Sequence, residues 1–273
     1  SNYKFYLIFN FFLFIDFIVK LFLATSFLFF VIFRKRWNSK IILLSGTIIS
    51  ICVTITLLIS SIHGKRDFTI TQVNLHFSNL PEKFNNFKII QLSDFHLGSN
   101  INLKQLVQET TKIIEEVQPQ LILFTGDMVN NLSSETVGFE KLFQKINANR
   151  LSFSILGNHD YGDYSSWPDA KTKNENFEAI ITAHKKMGFH LLRNENVVIH
   201  SEEDSIFLAG VENWGHPPFP QYADLEKTLL GIPENGFTIL LSHDPAHWAS
   251  QVKGKKSIEL TLSGHTHGLQ WGI

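Results

Sequence analysis

The sequence predicts an α/β fold preceded by an N-terminal helical hairpin. Three observations carry this reading. Two long apolar runs open the chain. Beyond them, strand-length apolar runs alternate with segments of helical spacing. Several of those runs end in Asp, Asn or His, and open α/β sheets place their sites just beyond the carboxyl ends of strands. With 273 residues there is room for one large domain plus extra segments. The net charge of −1 gives no global field that would argue for nucleic acid. The single cysteine, Cys52, lies in an apolar run, which excludes a disulfide framework and a Cys-based metal site.

The 25 phenylalanines crowd the N-terminus, which belongs to a different solvent. Leu7 to Phe33 is nearly all apolar and long enough to span a bilayer as a helix. Asp16 and Lys20 interrupt it at i, i+4 spacing, on one face where they can pair. Arg34 to Lys40 is a short basic loop with Trp37 at the interface, and Ile41 to Ile62 is a second apolar run of spanning length. Residues 1–66 therefore read as two transmembrane helices, about 7–33 and 41–62. A cleaved signal peptide fits poorly, because the first run is too long and a second follows. The 34–40 loop carries four basic residues, against only Lys65 and Arg66, offset by Asp67, after the second run. Basic loops stay in the cytoplasm, which puts the following domain on the other side. A chain that starts at Ser1 fits a fragment with more residues upstream.

The domain is expected over 67–273. His63 to Asp67 reads as a linker and Phe68 to Phe77 as a first strand. Further strands are expected at 88–93, 120–125, 151–156, 190–192, 197–200, 206–211, 237–242 and 257–263. Leu103 to Val117 has helical spacing at Leu103, Leu106, Val107, Ile113, Ile114 and Val117, with Asn102 as a cap and Pro119 just beyond. Helices are also expected near 135–146, 175–187 and 223–230, and after Pro245. Asp163 to Asn176, with Tyr164, Trp167 and Pro168, is a long polar loop. It reads either as a mobile surface segment or as a substrate-facing flap beside His159. His76, His184, His190, His200, His216 and His247 sit in no motif and are expected to be exposed loop residues.

The strand ends carry the chemistry. Run 88–93 leads into Asp94-Phe95-His96, and run 120–125 into Gly126-Asp127. Run 151–156 leads into Gly157-Asn158-His159-Asp160, 237–242 into His243-Asp244, and 257–263 into Gly264-His265-Thr266-His267. Any one of these could be a solvated turn. Five in one chain, all with metal-ligand residue types, argue for a site. In order and spacing they resemble the motifs of the calcineurin-like metallophosphoesterases, over roughly Asp67 to Ile273. The lead-in from Leu80-Pro81 through Asp94-Phe95-His96 also resembles a membrane-associated bacterial branch of that family.

The resemblance implies a four-layer α-β-β-α sandwich, where periodicity alone gives only α/β. It implies two divalent metal ions, Mn, Fe or Zn. Asp94, His96 and His267 resemble ligands of the first, Asn158, His243 and His265 ligands of the second, and Asp127 the bridge. His159 resembles the histidine that protonates the leaving oxygen, with Asp160 either orienting it or capping the turn. The implied reaction is hydrolysis of a phosphodiester, phosphomonoester or pyrophosphate bond by metal-activated hydroxide. Membrane tethering suggests a lipid-linked or envelope substrate. The alternative is a non-catalytic membrane protein that keeps the metal-binding fold for interaction or regulation.

The sequence departs from the family pattern in places. Many members carry an Asp three residues after the bridging Asp, supporting the catalytic His; here that position is Asn130, so support must come from elsewhere. Gly268 is followed by Leu269 where this branch often reads Gly-Gly. The chain stops at Ile273, directly after the last motif, as expected of a C-terminal truncation.

Overall fold

A computed structural model describes residues 2–33, 39–63, 70–99, 103–254 and 258–267. The loop residues 34–38, the linker residues 64–67, the proposed cap Asn102 and the last residues from Gly268 to Ile273 lie outside them. The chain divides into two compact units, Ser1–Asn74 and Leu75–Ile273.

The first unit holds helices α1 (Asn2–Phe33) and α2 (Ser39–His63). Large apolar side chains point outward from both; Phe17 is 61% exposed and Ile41 63%. Their polar groups are satisfied locally. Lys20 Nζ donates to Asp16 Oδ2 at 2.6 Å. The hydroxyls of Thr25, Ser26, Ser50 and Thr54 donate to carbonyls one turn back, at 2.7 to 2.9 Å. The helices touch through small residues: a Cβ on Gly46 would stand 1.9 Å from Ser26 Oγ. Among the described residues one helix, Phe9–Phe33, is long and apolar enough to cross a membrane; the apolar stretch described in α2, Leu44–Ile59, is shorter.

In the second unit, β1 (Ile89–Leu92), β2 (Leu121–Phe124), β3 (Leu151–Ser154) and β4 (His190–Leu191) form a parallel sheet in that order. β5 (Glu195–Ser201), β6 (Asp204–Gly210), β7 (Thr238–Leu241) and β8 (Leu260–Leu262) form the other. There β5 and β6 make an antiparallel hairpin, and β6, β7 and β8 run parallel. Alternation along the strands builds the layers. Leu121, Leu123, Phe153 and Ile155 meet Ile199, Ile206, Leu208, Ile239 and Leu241 between the sheets. Ile122 and Phe124 face the other way, toward α3 (Leu103–Val117), α4 (Glu140–Asn147) and α5 (Ala170–Lys186). Ala209, Val211 and Leu240 face Leu225, at the start of α6 (Leu225–Thr228), and Val252. The result is the four-layer α-β-β-α sandwich.

Two expectations need correction. Residues 70–77, the described part of the strand expected over 68–77, form no strand, and Ile70, Val73 and Leu75 are exposed. α5 begins at Ala170 rather than near Glu175, because Asp169 caps it by accepting from Thr172 N at 2.7 Å.

Candidate metal centre

The polar strand ends converge at one edge of the sandwich, and backbone bonds lock them together. Asp94 N donates to Gly126 O at 3.0 Å and His96 N to Asp127 O at 3.1 Å. Gly264 N donates to His243 O at 3.0 Å, and His265 N reaches the Asp94 carboxylate at 3.1 Å. Asp94, His96, Asp127, His265 and His267 all hold φ between 44° and 73°. That left-handed region is strained for side chains of this kind and persists where surrounding structure enforces it. Gly126, at φ 101°, needs glycine for its conformation. Gly157, which opens the turn at 158–161, does not: its φ of −98° suits any residue. Glycine is needed there because a Cβ would lie 2.2 Å from Asp127 Oδ1.

Two groups of side chains result, each with ligand atoms within 4.8 Å of one another: Asp94, His96, Asp127 and His267, and Asp127, His243 and His265. Asp127 belongs to both. Its Oδ2 is 3.5 Å from His96 Nε2 and 3.2 Å from His243 Nε2. Asn158 joins the second group, with Oδ1 3.0 Å from His243 Nε2 and 2.9 Å from His265 Nδ1. In the first, His267 Nε2 is 3.1 Å from His96 Nε2 and 3.5 Å from Asp94 Oδ1. Asp127, His96 and His243 are buried, whereas His265 and His267 are exposed.

His159 belongs to neither group. A carbonyl only accepts, so the 2.7 Å contact from Nδ1 to Asn130 O makes Nδ1 the N–H and leaves Nε2 to exchange a proton. This supplies the support that the side chain of Asn130 was not expected to give. Asp160 does not touch His159. It accepts from Asp127 N and Gly157 N at 2.9 Å and from Val129 N at 3.2 Å, so it caps the turn. Burial and the charge of Asp127 push its carboxyl up to about 7, against those hydrogen bonds.

Residues 87–269 match the calcineurin-like phosphoesterase family. The chain belongs to this family. It is 32% identical over 205 residues to the uncharacterized metallophosphoesterase YkuE of Bacillus subtilis (strain 168), covering 73% of this chain and 65% of that protein. It is 27% identical over 233 residues to a "Transmembrane protein with metallophosphoesterase domain" of Danio rerio, covering 82% of this chain and 50% of that protein. The Bos taurus protein of the same name is also 27% identical over 233 residues, covering 80% and 48%. The chain thus spans about half to two thirds of these relatives' length. The family is one of metal-dependent phosphoric ester hydrolases. The exposed apolar helix, with relatives named as transmembrane proteins, points to membrane association.

The residues of this metallophosphoesterase domain fit divalent cations. Ligands about 2.1 Å from one ion stand about 3.0 Å apart on an octahedral edge and about 3.4 Å on a tetrahedral one. Six contacts within the two groups run from 2.9 to 3.5 Å, and all ligand atoms of a group lie within 4.8 Å. Imidazole nitrogens as close as those of His96 and His267 need a proton or a cation between them. His243 Nδ1 donates to Thr125 O at 2.7 Å, the outer bond typical of a ligating histidine.

Sequence reasoning missed Glu135. Its carboxylate accepts from Asn130 N, Asn130 Nδ2, Asn131 N and Leu132 N, and so fixes the turn that presents Asn130 O to His159. No capping-box signal announced it, because the N-cap residue Leu132 has no side-chain acceptor. The 163–169 segment is not loose. Asp163 takes Lys173 Nζ and Tyr222 Oη, and Trp167 Nε1 donates to Gly162 O at 2.7 Å. Tyr164 is held against His159 as a result.

Proposed function

We propose that this chain is a membrane-anchored phosphoesterase that works with two divalent ions. Asp94, His96 and His267 hold one, Asn158, His243 and His265 the other, and Asp127 serves both. The observation that carries the proposal is the shared Asp127 carboxylate, with a histidine nitrogen of each group 3.5 Å or closer to one oxygen. The mixture of carboxylate, amide and imidazole suits Mn²⁺, Fe or Zn²⁺. When bound, such ions neutralise phosphate charge and supply a nucleophile at neutral pH. The chain's own residues position and protonate. The Asn130 carbonyl orients His159 through Nδ1, and the doubly protonated ring, which carries a second proton on Nε2, would give that proton to the leaving oxygen. Residues 1–66 anchor the domain through helices α1 and α2, with the 34–40 loop cytoplasmic and the domain outside. That tether favours a lipid-linked or envelope phosphate ester or pyrophosphate as substrate.

Metal analysis of the full-length protein, with a panel of nitrophenyl phosphomonoester, nitrophenyl phosphodiester and pyrophosphate substrates and added Mn²⁺, tests this. The expected result is two ions per chain and turnover of at least one substrate class. Metal binding without turnover of any would instead favour the non-catalytic alternative. Protease added outside spheroplasts should cut beyond Asp67 and spare the 34–40 loop; protection of the domain until the membrane is opened would reverse the orientation.

A further inference from the structure

Tyr164 is used by none of the chemistry above, yet it touches both central residues of the Gly-Asn-His-Asp turn. Its Oη accepts from Asn158 Nδ2 at 2.8 Å. Its ring lies 4.7 Å from the His159 ring, centroid to centroid, with the planes 34° apart. On the other side of Asn158, Oδ1 faces His243 and His265. An amide has nearly the same shape flipped, but the flip would turn two N–H donors toward the cation-binding side. A cation held by these histidines selects the orientation with oxygen inward, which leaves Nδ2 pointing out. The Tyr164 hydroxyl is the partner that satisfies Nδ2 in that orientation.

The tyrosine can hold a neighbour because it is held itself. Asp163, next to it, is fixed by Lys173 from α5 and by Tyr222 from the 212–222 loop. Gly162 turns the chain at φ 68°, and its carbonyl takes Trp167 Nε1. The Phe219 ring stands 6.0 Å from the Tyr164 ring, centroid to centroid.

We infer that Tyr164 is a positioning residue for the centre: its hydroxyl holds the Asn158 amide oxygen toward the second ion, and its ring braces His159. The inference rests on the two-ion reading and adds a separable role within it. Partners of this outer kind change metal affinity by about 10- to 100-fold. Tyr164 is half exposed, and water can replace its hydroxyl, so the low end applies.

The test uses the full-length, metal-stripped protein in detergent, titrated with Mn²⁺, alongside Tyr164→Phe and Tyr164→Leu, with circular dichroism to verify folding. Tyr164→Phe should bind the weaker-affected first ion as the wild type does and the second about tenfold less tightly. Its turnover should recover at saturating Mn²⁺, with the dependence on leaving group unchanged. Tyr164→Leu should also show turnover that stays low at saturating Mn²⁺, most for poor alcohol leaving groups, because His159 has lost its brace. Unchanged Mn²⁺ binding in Tyr164→Phe, or equal weakening of both ions, overturns the inference, as does a wild type that binds a single Mn²⁺. Because binding is read without turnover, a wild type that binds two ions but hydrolyses nothing sinks the phosphoesterase reading and leaves the role of Tyr164 standing or falling on the affinities.

Discussion

His184 and His243 are equally buried, at 0% exposure, and titrate in opposite directions. His184 sits under the first sheet, beside the rings of Phe124 and Phe189, with Nδ1 2.9 Å from Ser154 Oγ. Burial alone pushes it down to about 4. At the metal centre burial also pulls His243 down, but the charge and hydrogen bond of Asp127, with Asp94 behind it, outweigh that and carry it to about 9. Asp127 in turn is held at about 2: burial works to raise it, and His243 more than reverses that. Burial disfavours charge wherever it occurs; a carboxylate 3.2 Å away reverses the outcome. At His243 the centre thus favours positive charge inside the protein, while burial lowers His96 and His265, and a divalent cation can take the proton's place.

Removing the carboxylate breaks that contrast outright. Asp127→Asn should abolish nearly all turnover and strip most metal from both groups, since Asp127 belongs to each. In the metal-free protein His243 should then lose its proton at lower pH than in the wild type, with Asp94 and the Thr125 carbonyl still favouring the protonated ring. Metal analysis and NMR titration of the imidazoles check both points. Two ions per chain with normal turnover would show that Asp127 is no bridge.

His159 is oriented by a neutral carbonyl rather than by a carboxylate. His159→Gln should keep both ions and the fold while turnover falls by about 10²- to 10⁴-fold. The loss should shrink for nitrophenolate leaving groups and grow for alcohols, which need the proton. Metal loss in this variant would make His159 a ligand, and an equal rate loss for every leaving group would reduce it to electrostatic stabilisation.

What was legible in the sequence follows the same division between local and non-local causes. Asp94, His96, Asp127, Asn158, His243, His265 and His267 stood out because each follows a strand-length apolar run, a pattern carried by a few neighbouring residues. α3 was legible over 103–117, since one amphipathic helix writes its own periodicity. The left-handed backbones of five of these residues were not, because contacts with other strand ends hold them there. Nor was Asp160's real partner, Asp127 N, 33 positions away. His184 and His247, expected on the surface, are buried. For His184 a signal existed: with Ile180, Ala183 and Met187 it completes one apolar face of α5. His247 gave none, as it is enclosed by Trp214 stacking on its ring and by Ser242 at Nδ1.

The smallest effect isolates burial without a charged partner. The folded value of His184 is about 4, below the ordinary 6.5, so the unfolded chain takes up the proton first as pH falls. The contribution of His184 to stability is therefore fully present above about pH 6.5 and is lost as pH falls through the window down to about 4. At roughly 1.36 kcal/mol per unit the whole window is worth about 3 kcal/mol, of which about 2 is lost between pH 7 and pH 5. His184→Gln keeps a polar partner for Ser154 but cannot titrate. It should start less stable at pH 7, since it packs against Phe124 and Phe189 less well, and then lose about 2 kcal/mol less than the wild type on going to pH 5. Denaturant unfolding of the metal-free protein at the two pH values measures the difference, and other groups that titrate in this range cancel between variant and wild type. Parallel losses would mean that His184 keeps its proton when folded, and that burial without a carboxylate is not what separates it from His243.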